Sequence, residues 1–233
     1  MAASRAPAGL KSMMNESDRT DADTSKSRIC TSALQSACED GNVVVGPRMT
    51  TSEYLQTHEA MLPRELAFGV LRVAESPVVS HQRAVRDLTI ALTAFARERR
   101  LGEVLLAPMP ASRDVLLDRE RDLVVHPDLL FVSSDLEHIV GDRIFEAPDL
   151  VVEVLSPDPR IDDVDERLDW FTRYGVRECW LVDTVRREMS VLTFDGAAVE
   201  TRARVKPDTP VPSTVPVGFA KSPVALFGWP WPH

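Results

Sequence analysis

The stretch Leu150-Val151-Val152-Glu153-Val154-Leu155 decides the fold. A run of branched apolar residues with no turn-former predicts a strand. A near-continuous run, as opposed to an alternating one, predicts burial on both faces of a sheet. Glu153 interrupts it. An isolated buried carboxylate costs many kcal/mol, so this one must be neutral, paired or bound to a cation. The run alone leaves three readings open: a salt bridge to a buried Arg, a strand end reaching solvent, or a cation ligand.

A second acid sits in a similar setting. Asp128 opens Pro127-Asp128-Leu129-Leu130-Phe131-Val132, and by itself it also reads as a turn residue after proline. Two such carboxylates on neighbouring strands repel each other unless a cation bridges them. Oxygen ligands suit a hard ion, Mg²⁺ or Mn²⁺, which commonly takes one or two carboxylates plus water and phosphate.

Around these strands the chain alternates. Thr50-Thr51-Ser52-Glu53-Tyr54-Leu55 predicts a short capped helix, and residues 65–73 predict a strand, a Gly turn and a strand. Val85, Leu88, Leu92 and Phe95, at spacings of three and four, predict a long helix over 81–100 with Gly102 as its stop. Further strands are expected at 103–107, 114–117, 123–125, 129–133, 179–183 and 189–194, with a second helix over 162–174 ended by Gly175. The pattern predicts an α/β (α+β) domain: a mixed central β-sheet flanked by helices. The tail after Lys206 holds seven Pro and predicts an extended wrap.

Composition narrows the function classes. The 233 residues carry a net charge of −9, with 44% hydrophobic and 27% charged residues, a globular balance. No apolar run approaches the ~20 residues of a bilayer span, and no basic stretch leads into an apolar one as in a secretory signal. Three cysteines cannot form a disulfide framework or a four-Cys zinc site, so a reducing cytoplasmic setting is expected. Residues 1–48 lack periodicity and balance six bases against six acids; a disordered N-terminal extension, or upstream sequence outside the native translated chain, is expected there, with the folded domain over 49–233. Of the 27 basic residues only Lys11, Lys26, Lys206 and Lys221 are lysines, so a mid-chain lysine mechanism is excluded.

The blocks Pro127-Asp128-Leu-Leu-Phe-Val, Ala147-Pro148-Asp149-Leu150-Val151-Val152-Glu153-Val154-Leu155-Ser156-Pro157 and Tyr174-Gly175-Val176-Arg177-Glu178-Cys179-Trp180-Leu181-Val182-Asp183 resemble the Uma-two family of restriction-endonuclease-like proteins, within the PD-(D/E)XK nuclease superfamily. The resemblance runs from about Met49 to the C-terminus. It implies a restriction-endonuclease-like core and a metal-dependent endonuclease that hydrolyses DNA phosphodiester bonds, with a homodimer as the plausible assembly. It implies that Asp128 and Glu153 hold Mg²⁺ or Mn²⁺ with the carbonyl of Val154. It further implies that Glu65 contacts the metal or supports its ligands, and that His81 and Gln82 lie near the site or the DNA.

The superfamily's lysine, two residues after the strand acid, is Leu155 here. The displaced position on the next helix is Arg167, which can stabilise a pentavalent phosphate but stays protonated and cannot act as a base. Arg167 alone also reads as a surface partner of Asp163. A catalytically degenerate DNA- or protein-binding module is therefore the alternative. A third reading is an interaction protein docking through its Trp229-Pro230-Trp231 tail. Basic candidates for DNA contact are Arg83, Arg86, Arg97, Arg99 and Arg100 on the long helix, and Arg113, Arg119 and Arg121 in the loop before Asp128.

Overall fold

The computed structural model describes residues 44–57, 64–73, 77–106, 114–155, 164–196 and 198–228. In chain order the elements are β1 (Val44–Arg48), α1 (Thr51–Gln56), β2 (Arg64–Ala67), β3 (Val70–Val73), α2 (Val79–Arg99), β4 (Gly102–Leu106), β5 (Val115–Asp118), β6 (Leu123–Val125), β7 (Leu129–Ser133), a 3-10 helix (Ser134–Ile139), β8 (Leu150–Leu155), α3 (Val164–Tyr174), β9 (Glu178–Asp183), β10 (Glu188–Phe194), β11 (Val199–Val205) and α4 (Pro223–Phe227).

The apolar run of β8 is an interior strand of a six-stranded sheet, ordered β11-β10-β9-β8-β7-β4. Its β8–β9 pair is parallel and the other pairs are antiparallel. That parallel pair is joined through α3, a crossover parallel strands require. Alternation splits β8 between two cores. Leu150, Val152 and Val154 pack with Leu88 and Leu92 of α2 and with Val211, Phe219 and Leu226 of the C-terminal segment. Val151 faces the other way, toward Leu168 and Phe171 of α3 and toward Val115, Leu123 and Val125. Those last residues belong to a second, antiparallel sheet, ordered β1-β3-β2-β6-β5, whose far face packs on Tyr54 of α1. The expected mixed sheet with flanking helices is present, and a second sheet joins it. Among the described residues no helix is long and apolar enough to cross a membrane.

Three local expectations change. The long helix does not stop at Gly102: Arg100 takes the left-handed C-cap (φ 55°, ψ 44°). Gly102 begins β4 at φ +148°, where an added Cβ would lie 2.1 Å from the Val132 carbonyl oxygen. β1 pairs with β3, so sheet structure reaches Val44, inside the stretch read as an extension; residues 1–43 lie outside the described residues. β11, unforeseen in the sequence, is an edge strand whose residues are mostly exposed, its Val/Thr/Ala/Val alternation burying little beyond Val205. Ala107, Arg113, residues 156–163 and the Trp229–Trp231 tail also lie outside the described residues.

The C-terminal wrap is held by one buried acid. Glu178 is fully buried. It accepts hydrogen bonds from Trp180 Nε1 (2.6 Å), the Ser213 hydroxyl, Thr214 N (2.7 Å) and Thr214 Oγ1 (2.8 Å). Four donors satisfy both oxygens, which is what lets a carboxylate reside there.

Candidate active site

β7 and β8 run antiparallel with Leu129 opposite Val152. Continuing that register places Asp128 opposite Glu153, on one face at the end of the pair. The ladder opens there. Val154 N donates to Asp128 Oδ2 at 2.7 Å, so a side chain takes the place of the next strand carbonyl. In an extended residue N–H and C=O point to the same side, which turns the Val154 carbonyl toward Asp128 as well. The other oxygen of Asp128 lies 3.0 Å from His81 Nε2 in the first turn of α2.

Glu153 meets α3. Arg167 is buried and donates to Glu153 Oε1 from Nη2 (2.6 Å) and Nε (3.2 Å). From Nη1 it donates to Glu65 Oε2 at 2.5 Å. Glu65, 1% exposed, accepts at its other oxygen from the backbone N–H of His126 (2.5 Å). Arg167 reaches this position because α3 buries Leu168 and Phe171 against the sheets, which turns the adjoining residue inward. α3 is itself clamped to β3: Arg72 donates to Glu166 at 2.8 Å and stacks 5.6 Å over the Trp170 ring.

The electrostatics leave this cluster short of positive charge. Asp128, Glu153 and Glu65 face one guanidinium. Burial pushes the Glu153 carboxyl up, the charges of Asp128 and Glu65 add to this, and Arg167 only partly offsets them, so its pKa rises to about 7. Burial opposes the charge on Arg167, but Glu153 and Glu65 outweigh it and hold its pKa above the ordinary value.

The donor set fits a hard divalent cation. Two carboxylates and a backbone carbonyl come together where negative charge is in excess, and Mg²⁺ needs no more protein ligands than that. Among the described residues no cluster of three or more His, Cys, Asp and Glu side chains is placed to hold a metal. Glu65 spends its two oxygens on Arg167 and on the His126 N–H.

The structure thus brings together Asp128, Glu153, Val154, Glu65, Arg167 and His81. Gln82 is not among them: it is exposed, one residue round the helix from His81. Asp163, the alternative partner of Arg167, lies outside the described residues. Sequence reasoning missed His126, which acts through its backbone N–H and so left no side-chain signal, and the Arg72 clamp, which joins residues 94 apart. The other Pro-Asp pair is set apart from the site. Asp149 lies at the opposite end of β8, where Ser133 N (2.8 Å) and Arg177 Nη1 (2.9 Å) donate to it.

Comparisons agree with this frame. No curated protein is significantly similar to the chain. The crystal structure of a putative nuclease belonging to DUF820 from Anabaena variabilis matches with a TM-score of 0.64 at 19% identity, over 78% of this chain and 98% of that one, a likeness of fold. The model of the Uma2 family, described as "Putative restriction endonuclease", matches residues 51–225. The chain belongs to the Uma2 family.

Proposed function

We propose that the protein is a metal-dependent endonuclease that hydrolyses DNA phosphodiester bonds, with Asp128, Glu153 and the Val154 carbonyl as the residues that hold Mg²⁺ or Mn²⁺. The observation that supports this most is the meeting of Asp128 and Glu153 at the end of β7 and β8, beside a buried guanidinium too weak in charge to balance them. A cation there supplies charge neutralisation at a scissile phosphate and activation of a water.

The protein's own groups do the rest. His81 Nε2 and Val154 N–H fix Asp128, so its carboxylate is oriented before substrate arrives. Arg167, anchored by Glu65 and Glu153, is a preorganised positive group that stabilises the charge growing on a phosphate in the transition state. It keeps its proton throughout, so it cannot take one from water. Glu65 binds Arg167 through one oxygen and the His126 N–H through the other, which makes it a positioning residue. The family resemblance and the frequency of two-fold assemblies support a homodimer, which light scattering checks.

The test is plasmid and short-duplex cleavage with Mg²⁺ or Mn²⁺. Cleavage by the wild type and its loss in Glu153→Ala is the expected result; cleavage that survives Glu153→Ala overturns the assignment. Duplex binding with no cleavage under either metal selects instead the degenerate binding module, which the permanently protonated Arg167 favours.

A further inference from the structure

Of the basic residues singled out in the sequence, only those at the start of α2 lie near this site. Arg97, Arg99 and Arg100 lie at the far end of α2, about 20 Å from Arg83 at 1.5 Å per residue. Arg119 and Arg121 lie on the β5–β6 turn, beside the C-terminal end of α3, where Tyr174 donates to Asp118. The mouth beside Asp128 is lined differently.

Because β8 and β9 are parallel, with Leu155 opposite Asp183, the four-residue turn Thr184–Arg187 rises at the same end of the sheet as Glu153. Thr184 Oγ1 donates to Ser80 Oγ at 3.4 Å, joining that turn to the first turn of α2, one residue before His81. Arg83 follows Ser80 by three residues and Val79 by four, so it lies on the helix face that meets the turn. Val79 (66%) and Val185 (63%) are strongly exposed beside it.

The charges there are unbalanced toward the positive. Among the described residues Arg83 and Arg187 have no carboxylate partner. The nearby acids are committed: Asp183 to Arg186 and to the turn's N–H groups, Glu188 to Arg204, and Asp87 to Arg86. The start of α2 has no capping side chain and no acid in its first turn, leaving backbone N–H groups that favour an anion. Arg187 itself sits at φ 56°, a conformation that tight turns impose at a cost to non-glycine residues.

We propose that the first turn of α2 and the β9–β10 turn form a phosphate-binding rim. Arg83 and Arg187 there grip the nucleic-acid backbone flanking the bond presented to Asp128 and Glu153. This rests on the proposed nuclease function and adds the surface that seats the substrate.

The experiment is fluorescence anisotropy of a labelled DNA duplex in Ca²⁺ across a salt series, with the full chain. Arg83→Ala/Arg187→Ala is expected to flatten the log–log salt dependence by about two and to weaken binding about 60-fold at 0.1 M salt, since each phosphate contact contributes ~0.9 to the slope. Calorimetric divalent-metal affinity of that variant should match the wild type, showing an intact site. Arg97→Ala/Arg119→Ala should keep the wild-type slope. A wild-type slope in Arg83→Ala/Arg187→Ala, or an equal loss in Arg97→Ala/Arg119→Ala, overturns the rim and leaves the nuclease reading standing if the wild type still cuts. A wild type with no salt-dependent binding overturns both.

Discussion

Replacing Arg167 with Met keeps most of the side chain's volume and removes its charge. Glu65, Glu153 and Asp128 then face one another with no guanidinium, with Glu65 buried and Glu153 mostly so. Breaking a buried pair by removing one partner costs about 3–5 kcal/mol. In a domain of this size each kcal/mol moves Tm by roughly 2–4 °C, so a fall of about 6–20 °C is expected at pH 8 without metal. The pH dependence has a definite sign. Arg167 is the group that lowers the Glu153 pKa, so without it that pKa climbs further above its unfolded value. A carboxyl raised on folding contributes stability below its unfolded pKa and loses it as pH rises through the folded one. The deficit is therefore largest at pH 8 and shrinks toward pH 5, where Glu153 is protonated. Millimolar Mg²⁺ should recover part of the loss at pH 8. Thermal and urea melts followed by circular dichroism, at both pH values with EDTA or Mg²⁺, measure all three quantities. A loss under about 1 kcal/mol, or one equal at the two pH values, would refute the view of Arg167 as the internal counterion.

The wild type should show a milder version of the same effect. With Glu153 moved from 4.5 to about 7, metal-free stability should drop by about 3 kcal/mol between pH 4 and pH 8 on this account alone, and Glu153→Gln should flatten that part of the profile. Glu178→Gln offers one acceptor oxygen and an NH₂ to four donors. The Ser213 and Thr214 hydroxyls can rotate but the Thr214 N–H cannot, so a loss of about 2–4 kcal/mol in a urea titration is expected, with proteolysis appearing first after Val205. Gly102→Ala forces a Cβ against the backbone of Val132 and Ser133. A destabilisation of at least about 3 kcal/mol is expected from overlap and dihedral strain together, and a near-neutral melt would contradict the β4–β7 geometry.

Local signals were legible where local physics decides. The Thr50–Glu53 capping box forms as the sequence indicates, with Thr50 N donating to Glu53 at 2.7 Å and Glu53 N donating to Thr50 Oγ1 at 3.2 Å. The stripe of Val85, Leu88 and Leu92 is buried. The end of α2 falls where expected but its cap does not: an arginine accepts the left-handed position, while the obvious glycine is required two residues later by a close backbone approach. β11 was missed because its alternation carries only small or polar residues on an exposed edge, and β1 because its pairing with β3 is non-local.

For the site, the sequence by itself singled out two acids beside or within strongly apolar runs, and determined that no mid-chain lysine could serve them. These follow from residue type and hydrophobic pattern, which every possible packing must respect. Only the tertiary structure decided that Arg167 answers both Glu65 and Glu153, and that His81 but not Gln82 reaches Asp128. Those are matters of register and helix rotation. One residue of slip or 100° of turn exchanges the partners while leaving the local pattern unchanged.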